Sequence, residues 1–254
     1  MENFDHAARN YDEAFTNSCV GVAQREQVWK YVDKHLNKFQ NVLEVNCGTG
    51  EDAHRWDFRG KGVVATDVSP EMIRIAESKF PELHFRVLDV NNLCSYDNTF
   101  DTLFSNFGGL NCLSPAQLKK FFANACDELD KNGHLVVVMM GKKCVWERFY
   151  FGFRAKFKKA GRRNTKECVD VHVEGETVKT WYFSPNEIKS MASEKFELVK
   201  QKPIGLFIPP SYLASKFEKR KRTFAFLKWL DGIFTHARFS NNADHYLMIL
   251  KSRG

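Results

Sequence analysis

Short apolar runs alternate with segments of helical periodicity over the first 140 residues of the chain. The runs Asn41–Val45, Gly62–Thr66, Leu83–Leu88, Phe100–Ser105 and His134–Met140 predict strands. Between them, Glu51–Phe58, Pro70–Lys79 and Pro115–Asp130 predict helices. Ahead of the first strand, Val28, Tyr31, Val32 and Leu36 share one helical face. Helix starts are marked by Ser-Pro pairs at Ser69-Pro70, Ser114-Pro115 and Ser184-Pro185. The serine caps the first turn, and the proline lacks only an N–H that the turn leaves unpaired anyway. Gln117 and Glu187, three residues after their serines, complete two capping boxes. Strands alternating with helices of this length predict an α/β fold with a parallel sheet covered on both faces. Phe196–Lys200 and His245–Leu250 predict two further strands near the end of the chain. Residues 142–183 and 205–240 interrupt the alternation and are rich in Phe, Trp, Tyr, Lys and Arg. They are expected to lie as lids over one end of the sheet within a single domain, with residues 1–37 as an N-terminal cap.

Composition narrows the class. Hydrophobic residues make up 43% of the 254 and charged residues 27%, enough apolar material for a core and too much for a disordered chain. No apolar run reaches the ~18 residues of a membrane span, and the acidic start Met1–His6 has no secretory pattern. The seven cysteines (19, 47, 94, 112, 126, 144 and 168) are scattered and form no Cys-x-x-Cys pair, which argues against a structural zinc site and a disulfide framework and fits a reducing cytoplasm; no metal is expected. The net charge of +7 is unevenly placed: residues 1–130 carry 13 basic and 20 acidic residues, and residues 131–254 carry 25 and 11. A basic patch of that kind suits a membrane surface, a nucleic acid or an anionic substrate.

The most informative stretch is Val42-Leu43-Glu44-Val45-Asn46-Cys47-Gly48-Thr49-Gly50, a strand running through a Gly-x-Gly turn into a helix. Glycines permit a tight turn and close approach of a ligand, and a helix N-terminus offers free N–H groups to an anion. Asp67 and Asp89 end the next two strands and share the carboxyl edge of a parallel sheet with this turn. A carboxylate at the first place can accept both hydroxyls of a ribose, and one at the second an amino group of adenine. Taken singly, each acid could equally cap a helix or a loop. Gly48-Thr49-Gly50-Glu51-Asp52-Ala53 also fits the dinucleotide pattern Gly-x-Gly-x-x-Gly/Ala, which keeps an NAD(P)-dependent oxidoreductase as an alternative. Against it stand Glu44 inside the first strand and Asp89, which has no role in dinucleotide binding.

In this order the motifs resemble the class I S-adenosylmethionine-dependent methyltransferases. Val42–Gly50 resembles their motif I, Ala65–Met72 their ribose-binding strand end, Leu88-Asp89-Val90 their adenine-binding turn and Phe100–Phe107 their motif IV. Leu129–Leu135 resembles the turn before strand five, and the opening Phe4-Asp5-x-x-Ala8-x-x-Tyr11-Asp12 is similar to the N-terminal cap of many members. The resemblance implies a Rossmann-like sheet, mostly parallel with an antiparallel C-terminal strand, and S-adenosyl-L-methionine as cofactor. It implies that Asn46, Cys47, Gly48 and Gly50 wrap the methionine end, with Glu44 fixing the loop and Tyr11 in the cap above. Asp67 would hold the ribose, Val68 and Met72 flank the adenine, and Asp89 with the Val90 amide read its amino edge. Asn106 and Phe107 would sit beside the donor methyl. Asn46 departs from the family, which usually has glycine there; asparagine tolerates unusual backbone angles better than most residues.

The acceptor is less legible. In-line methyl transfer needs alignment and exclusion of water more than a dedicated base. Of His172, His236, His245, Tyr11 and Tyr182, none is singled out as a base by sequence. Trp146, Phe149, Tyr150, Phe153 and Phe157 fall on one helical stripe amid basic residues. The stripe is expected to pack on the sheet as a lid; the other reading is an interfacial helix in peripheral contact with a membrane. Trp146, Phe149, Tyr182, Phe207 and Tyr212, with Pro209 and Pro210, are expected to line the acceptor site, taking a small or medium hydrophobic or aromatic molecule. An RNA methyltransferase is a further alternative, disfavoured because Ser105-Asn106-Phe107-Gly108-Gly109 is unlike the Asn-Pro-Pro-Tyr type of many nucleic-acid base methyltransferases.

Overall fold

The computed structural model describes residues 5–36, 38–93, 99–173 and 176–253, so Phe4 and Cys94 lie outside the described residues. The chain opens with α1 (Asp5–Tyr11), a short π-helical turn at Asp12–Thr16, and α2 (Cys19–Leu36). There follow β1 (Asn41–Val45), α3 (Glu51–Phe58), β2 (Gly62–Asp67), α4 (Pro70–Lys79), β3 (His84–Val87), β4 (Phe100–Ser105), α5 (Pro115–Asp127) and β5 (Leu129–Met140). Next come α6 (Val145–Gly152), α7 (Phe157–Ala160), β6 (Val169–Val173), β7 (Glu176–Thr180), α8 (Pro185–Ala192) and β8 (Phe196–Ile204). The chain closes with α9 (Ala214–Glu218), α10 (Lys221–Ile233) and β9 (His245–Ser252).

One seven-stranded sheet has the order β3-β2-β1-β4-β5-β9-β8, and β6 and β7 form a separate hairpin. The pairs from β3 to β5 are parallel, and β9 runs antiparallel to both its neighbours. This is the expected α/β class, mostly parallel with an antiparallel last strand. The central strands are apolar throughout because both faces are covered. Leu135, Val137 and Met139 of β5 point to one face and meet Phe121 and Phe122 of α5 and Ile188 of α8. Val136 and Val138 point to the other and meet Trp29 and Val32 of α2 and Trp56 of α3. All three Ser-Pro starts form as read. Ser69 accepts from the Met72 amide, and Ser114 and Ser184 complete both capping boxes. Among the described residues no helix is long and apolar enough to cross a membrane.

Several boundaries differ from expectation, the largest differences being these. α5 stops at Asp127, and Leu129 already pairs with Phe100. The polar run to Gly133 then turns through Asn132, at φ 68°, before pairing resumes at His134. β8 continues past Lys200 to Ile204, because an edge strand tolerates the polar Lys200-Gln201-Lys202 and Pro203. The hairpin of β6 and β7, inside the basic–aromatic segment, was not anticipated.

Candidate active site

The carboxyl ends of β1, β2 and β4 meet at a cleft lined by Tyr11, Arg25, Asn46, Cys47, Gly48, Thr49, Glu51, Asp52, Asn106 and Phe107. Its floor is backbone held in unusual conformations. Asn46 (φ 58°), Gly48 (φ 55°), Gly50 (φ 84°), Phe107 (φ 48°) and Gly108 (φ 78°) all occupy the left-handed region. For Asn46 this is the tolerated exception; for Phe107 it is strain of the kind that collects at functional sites. Asn46 also packs so tightly on Gly109 that a side chain there would come within 2.5 Å of its Cβ. Asn46 Nδ2 donates to Ser105 Oγ at 3.2 Å, tying the β1 turn to the end of β4.

The acids divide between bracing the loop and facing the cleft. Asp67 accepts from the Gly48 amide through one oxygen and from the Ser69 amide through the other, both at 2.9 Å. Burial pushes its carboxyl up, and these amides work against that. Each oxygen keeps a lone pair for a further donor. Asp89 accepts from the Asn91 amide and side chain, turning the chain at the end of β3, and Val90 and Met72 are buried. Glu44 is almost fully buried and its Oε2 has no hydrogen-bond partner. Burial first, and then Asp52, push its carboxyl well up. Burial likewise raises the Cys47 thiol.

Several residues of the cleft were not singled out from sequence. Arg25 of α2 reaches Asp52 at 3.2 Å, and its guanidinium lies over the rings of Phe107 (5.3 Å) and Phe15 (5.9 Å). Asp52 also accepts from Trp29 Nε1 (2.6 Å) and Asn106 Nδ2 (2.9 Å). From the N-terminal cap, Asp12 accepts from Thr49 Oγ1 and from Lys79 Nζ, each at 2.6 Å, and Asp5 accepts from Ser69 Oγ. Tyr11 thereby lies over Gly48, and burial pushes its hydroxyl up to about 12. A helical arginine carries no local sign of its target, which is why pattern reading passed over Arg25.

The five expected acceptor residues do not gather at this cleft. Trp146 is half-buried and donates from Nε1 to the Phe207 carbonyl (2.8 Å), while Phe207 packs on Phe234. Tyr182 is buried over the Arg163 guanidinium. Phe149 and Tyr212 face outward. The expected stripe breaks because α6 ends at Gly152 and Ala155 turns at φ 54°, which puts Phe157 on the separate turn α7. What does border Phe107 on this side is His245, ring to ring at 5.7 Å. His245 starts β9, and its Nδ1 lies 3.2 Å from Asp244 Oδ2. Asp244 also receives Gln24 Nε2 (3.1 Å) and Arg163 Nη2 (2.8 Å), and Arg163 and Arg162 both clasp Glu147. Burial alone would raise Asp244; His245 and Arg163 overcome it and hold the carboxyl far below its ordinary range. Among the described residues no group of three or more His, Cys, Asp or Glu side chains is placed to hold a metal ion.

A family model described as a methyltransferase domain matches residues 42–133. An uncharacterised protein of Methanocaldococcus jannaschii is 26% identical over 84% of each chain. A demethylmenaquinone methyltransferase of Paenarthrobacter aurescens is 25% identical over 70% of each chain. The structure is similar to an S-adenosylmethionine-dependent methyltransferase from Methanosarcina mazei, with TM-score 0.61 and 15% identity over 87% of this chain and 96% of that one. With the strand order and the motifs in sequence, these findings support a class I S-adenosylmethionine-dependent methyltransferase. S-adenosyl-L-methionine is its cofactor, in place of the nicotinamide alternative. The residues in and behind the cleft fit that molecule: Glu44 with its unpartnered oxygen, Asp52 and Asp67 would suit amino and hydroxyl donors, and Arg25 would offer a cation to the amino-acid carboxylate.

Proposed function

We propose that the chain methylates a small or medium organic acceptor with a hydrophobic, aromatic body. The observation that carries this reading is the wall beyond Asn106: Phe107, Phe15 and the His245 ring, with the buried Asp244 carboxylate behind them. The Paenarthrobacter relative is named for a quinone, demethylmenaquinone, and an apolar ring of that kind would match such a wall. Bound S-adenosylmethionine supplies an already activated methyl group on its sulfonium. The protein's part is to bind, align and dry the site. Gly48 and the turn from Asn46 to Gly50 hold the methionine end between Arg25 and Glu44, with Tyr11 and the Asp12–Lys79 pair closing over it. The free lone pairs of Asp67 take the ribose hydroxyls. Val68 and Met72 flank the adenine, and Asp89 and the Val90 amide read its edge. Asn106, held by Asp52, and Phe107 direct the acceptor towards the methyl group. His245, 3.2 Å from Asp244 and ring to ring with Phe107, is the imidazole of this wall placed to receive a proton from an acceptor hydroxyl or amine.

Residues 1–37 act as a cap, and 142–183 with 205–240 as coverings of the carboxyl edge, in one domain. Calorimetry tests the cofactor site. S-adenosylhomocysteine should bind and NADH should not, and Asp67→Ala should weaken the former by about 1.5–3 kcal/mol. Unchanged binding in that variant would remove Asp67 from the ribose site.

A further inference from the structure

The two basic–aromatic segments meet on the surface in a way that no methyl transfer requires. Trp146 of α6 packs edge-on against Phe217 of α9 (5.9 Å), and Phe217 against Phe224 of α10 (6.2 Å). Phe151 stacks on Tyr212, and Lys216 donates to the Tyr150 hydroxyl. These contacts join α6, α9 and α10 into one cap. Its inner residues are thus accounted for, and its outer ones are apolar. Phe149, Phe153 and Phe157 on one side, and Phe226, Trp229 and Ile233 on the other, are each between 53 and 87% exposed. Phe226, Trp229 and Ile233 stand at i, i+3 and i+7, a stripe along α10 that faces solvent, while Asp231 is the helix's buried residue. Rings stack within each group, Phe149 on Phe153 and Phe226 on Trp229, so each presents a continuous apolar area. A soluble surface seldom carries such stripes without a use.

Around them the charge is mostly positive, the acids beside the second group being Glu218 and Glu26, the latter paired with Lys228. No acidic residue occurs in 148–166 or in 219–230. Arg148, Arg154, Lys156, Lys158 and Lys159 are exposed beside the first group, and Lys219-Arg220-Lys221-Arg222 beside the second. We propose that this cap docks on the surface of an anionic lipid bilayer, with the aromatic and aliphatic side chains entering the headgroup boundary and the basic residues meeting the phosphates. Charge complementarity selects this occupant. A second copy of the chain would bring the same excess of positive charge against itself. An RNA would use rings as stacking platforms but gives no role to Ile233 in a stripe with Phe226 and Trp229. Apolar side chains flanked by Lys and Arg on short helices are what an interfacial segment needs, and Trp is favoured at that depth. The proposal is independent of which acceptor is methylated; it would place the enzyme where an apolar acceptor dissolves.

The test uses the full chain and unilamellar vesicles, of phosphatidylcholine alone or of three parts phosphatidylcholine to one of phosphatidylglycerol, in a flotation assay. Binding to the anionic vesicles should exceed that to the neutral ones by roughly tenfold or more at ~0.1 M salt and fall at higher salt. The double variant Phe153→Asp with Trp229→Asp should lose that binding. Its residues are exposed, so its thermal midpoint should match that of the parent. Phe58→Asp, at a site 82% exposed on α3 outside the cap, should bind as the parent does. Equal binding to both vesicles, or undiminished binding by the double variant, overturns the proposal. So does tight binding of polyuridylate with no vesicle binding, or a dimer in sedimentation that the double variant abolishes.

Discussion

Arg25 shows how much a single residue can carry in this molecule. It comes from the helix before the first strand, yet it closes the cleft against Asp52 and lies over Phe107. Burial disfavours its charge and Asp52 overrides that, so it stays a cation. If it binds the amino-acid carboxylate, Arg25→Met should weaken S-adenosylhomocysteine roughly tenfold or more, the usual scale for a lost charge-assisted bond. Methylthioadenosine, which lacks the amino-acid end, should bind the variant and the parent equally. Calorimetry with the two ligands separates this from a general loosening of the cleft, which would weaken both. Asp67 and Phe107 are the contrasting cases: one is recognisable from its place after a strand, the other owes its importance to a backbone angle of 48° that no one-letter code records.

At the scale of elements, the starts of the three Ser-Pro helices were legible in the sequence, though the end of α5 was not. Ser-Pro followed by a third-position Gln or Glu states its own boundary, because the cap satisfies N–H groups that the helix cannot. α10 is different. Its outward face is apolar, so periodicity alone assigns the wrong side to the core. Its position is set instead by Asp231, whose carboxylate accepts from the Phe207 amide at 2.8 Å and the Ile208 amide at 3.0 Å. Burial raises this carboxyl to about 6, against the pull of those amides. A raised acid stabilises the fold fully below its unfolded pKa near 3.8 and loses that contribution as pH rises through the folded value. Denaturant unfolding should therefore show stability falling between about pH 4 and pH 7 by up to ~3 kcal/mol, and Asp231→Asn should flatten that fall. A parent profile as flat as the variant's would contradict the account.

Across the whole molecule, segments of the C-terminal half that are far apart in sequence are pinned together by buried charge. Arg163, from the segment before β6, meets Asp244 at the head of β9 and Glu147 of α6, all three nearly inaccessible to solvent. Arg163→Met leaves Asp244 without its guanidinium and Glu147 held by Arg162 alone, and should cost about 3–5 kcal/mol in chemical denaturation. The double variant with Glu147→Gln should cost less than the two single losses added together, since the second change removes one of the stranded charges.

The chain by itself determined the sheet class, the cap of each Ser-Pro helix, the glycine loop and the acids that follow it. These are local matters: a five-residue apolar run, a capping serine or a glycine turn carries its physics within a few neighbouring residues. It also determined the cofactor, since the motifs that hold it lie on successive strand ends within residues 42–90. Only the tertiary structure decided which residues join them from elsewhere. Arg25 and Asp52 are 27 positions apart, Gln24 and Asp244 220, and nothing in the local pattern of either links them. The same holds for the aromatic segments. Their stripe suited a lid on the sheet, but α6 stops at Gly152, the Trp146 and Phe217 rings take the inner contacts, and Phe149, Phe153 and Trp229 are left facing out. Amphipathic periodicity shows that a helix has an apolar face; what covers that face depends on the surfaces that folding brings beside it.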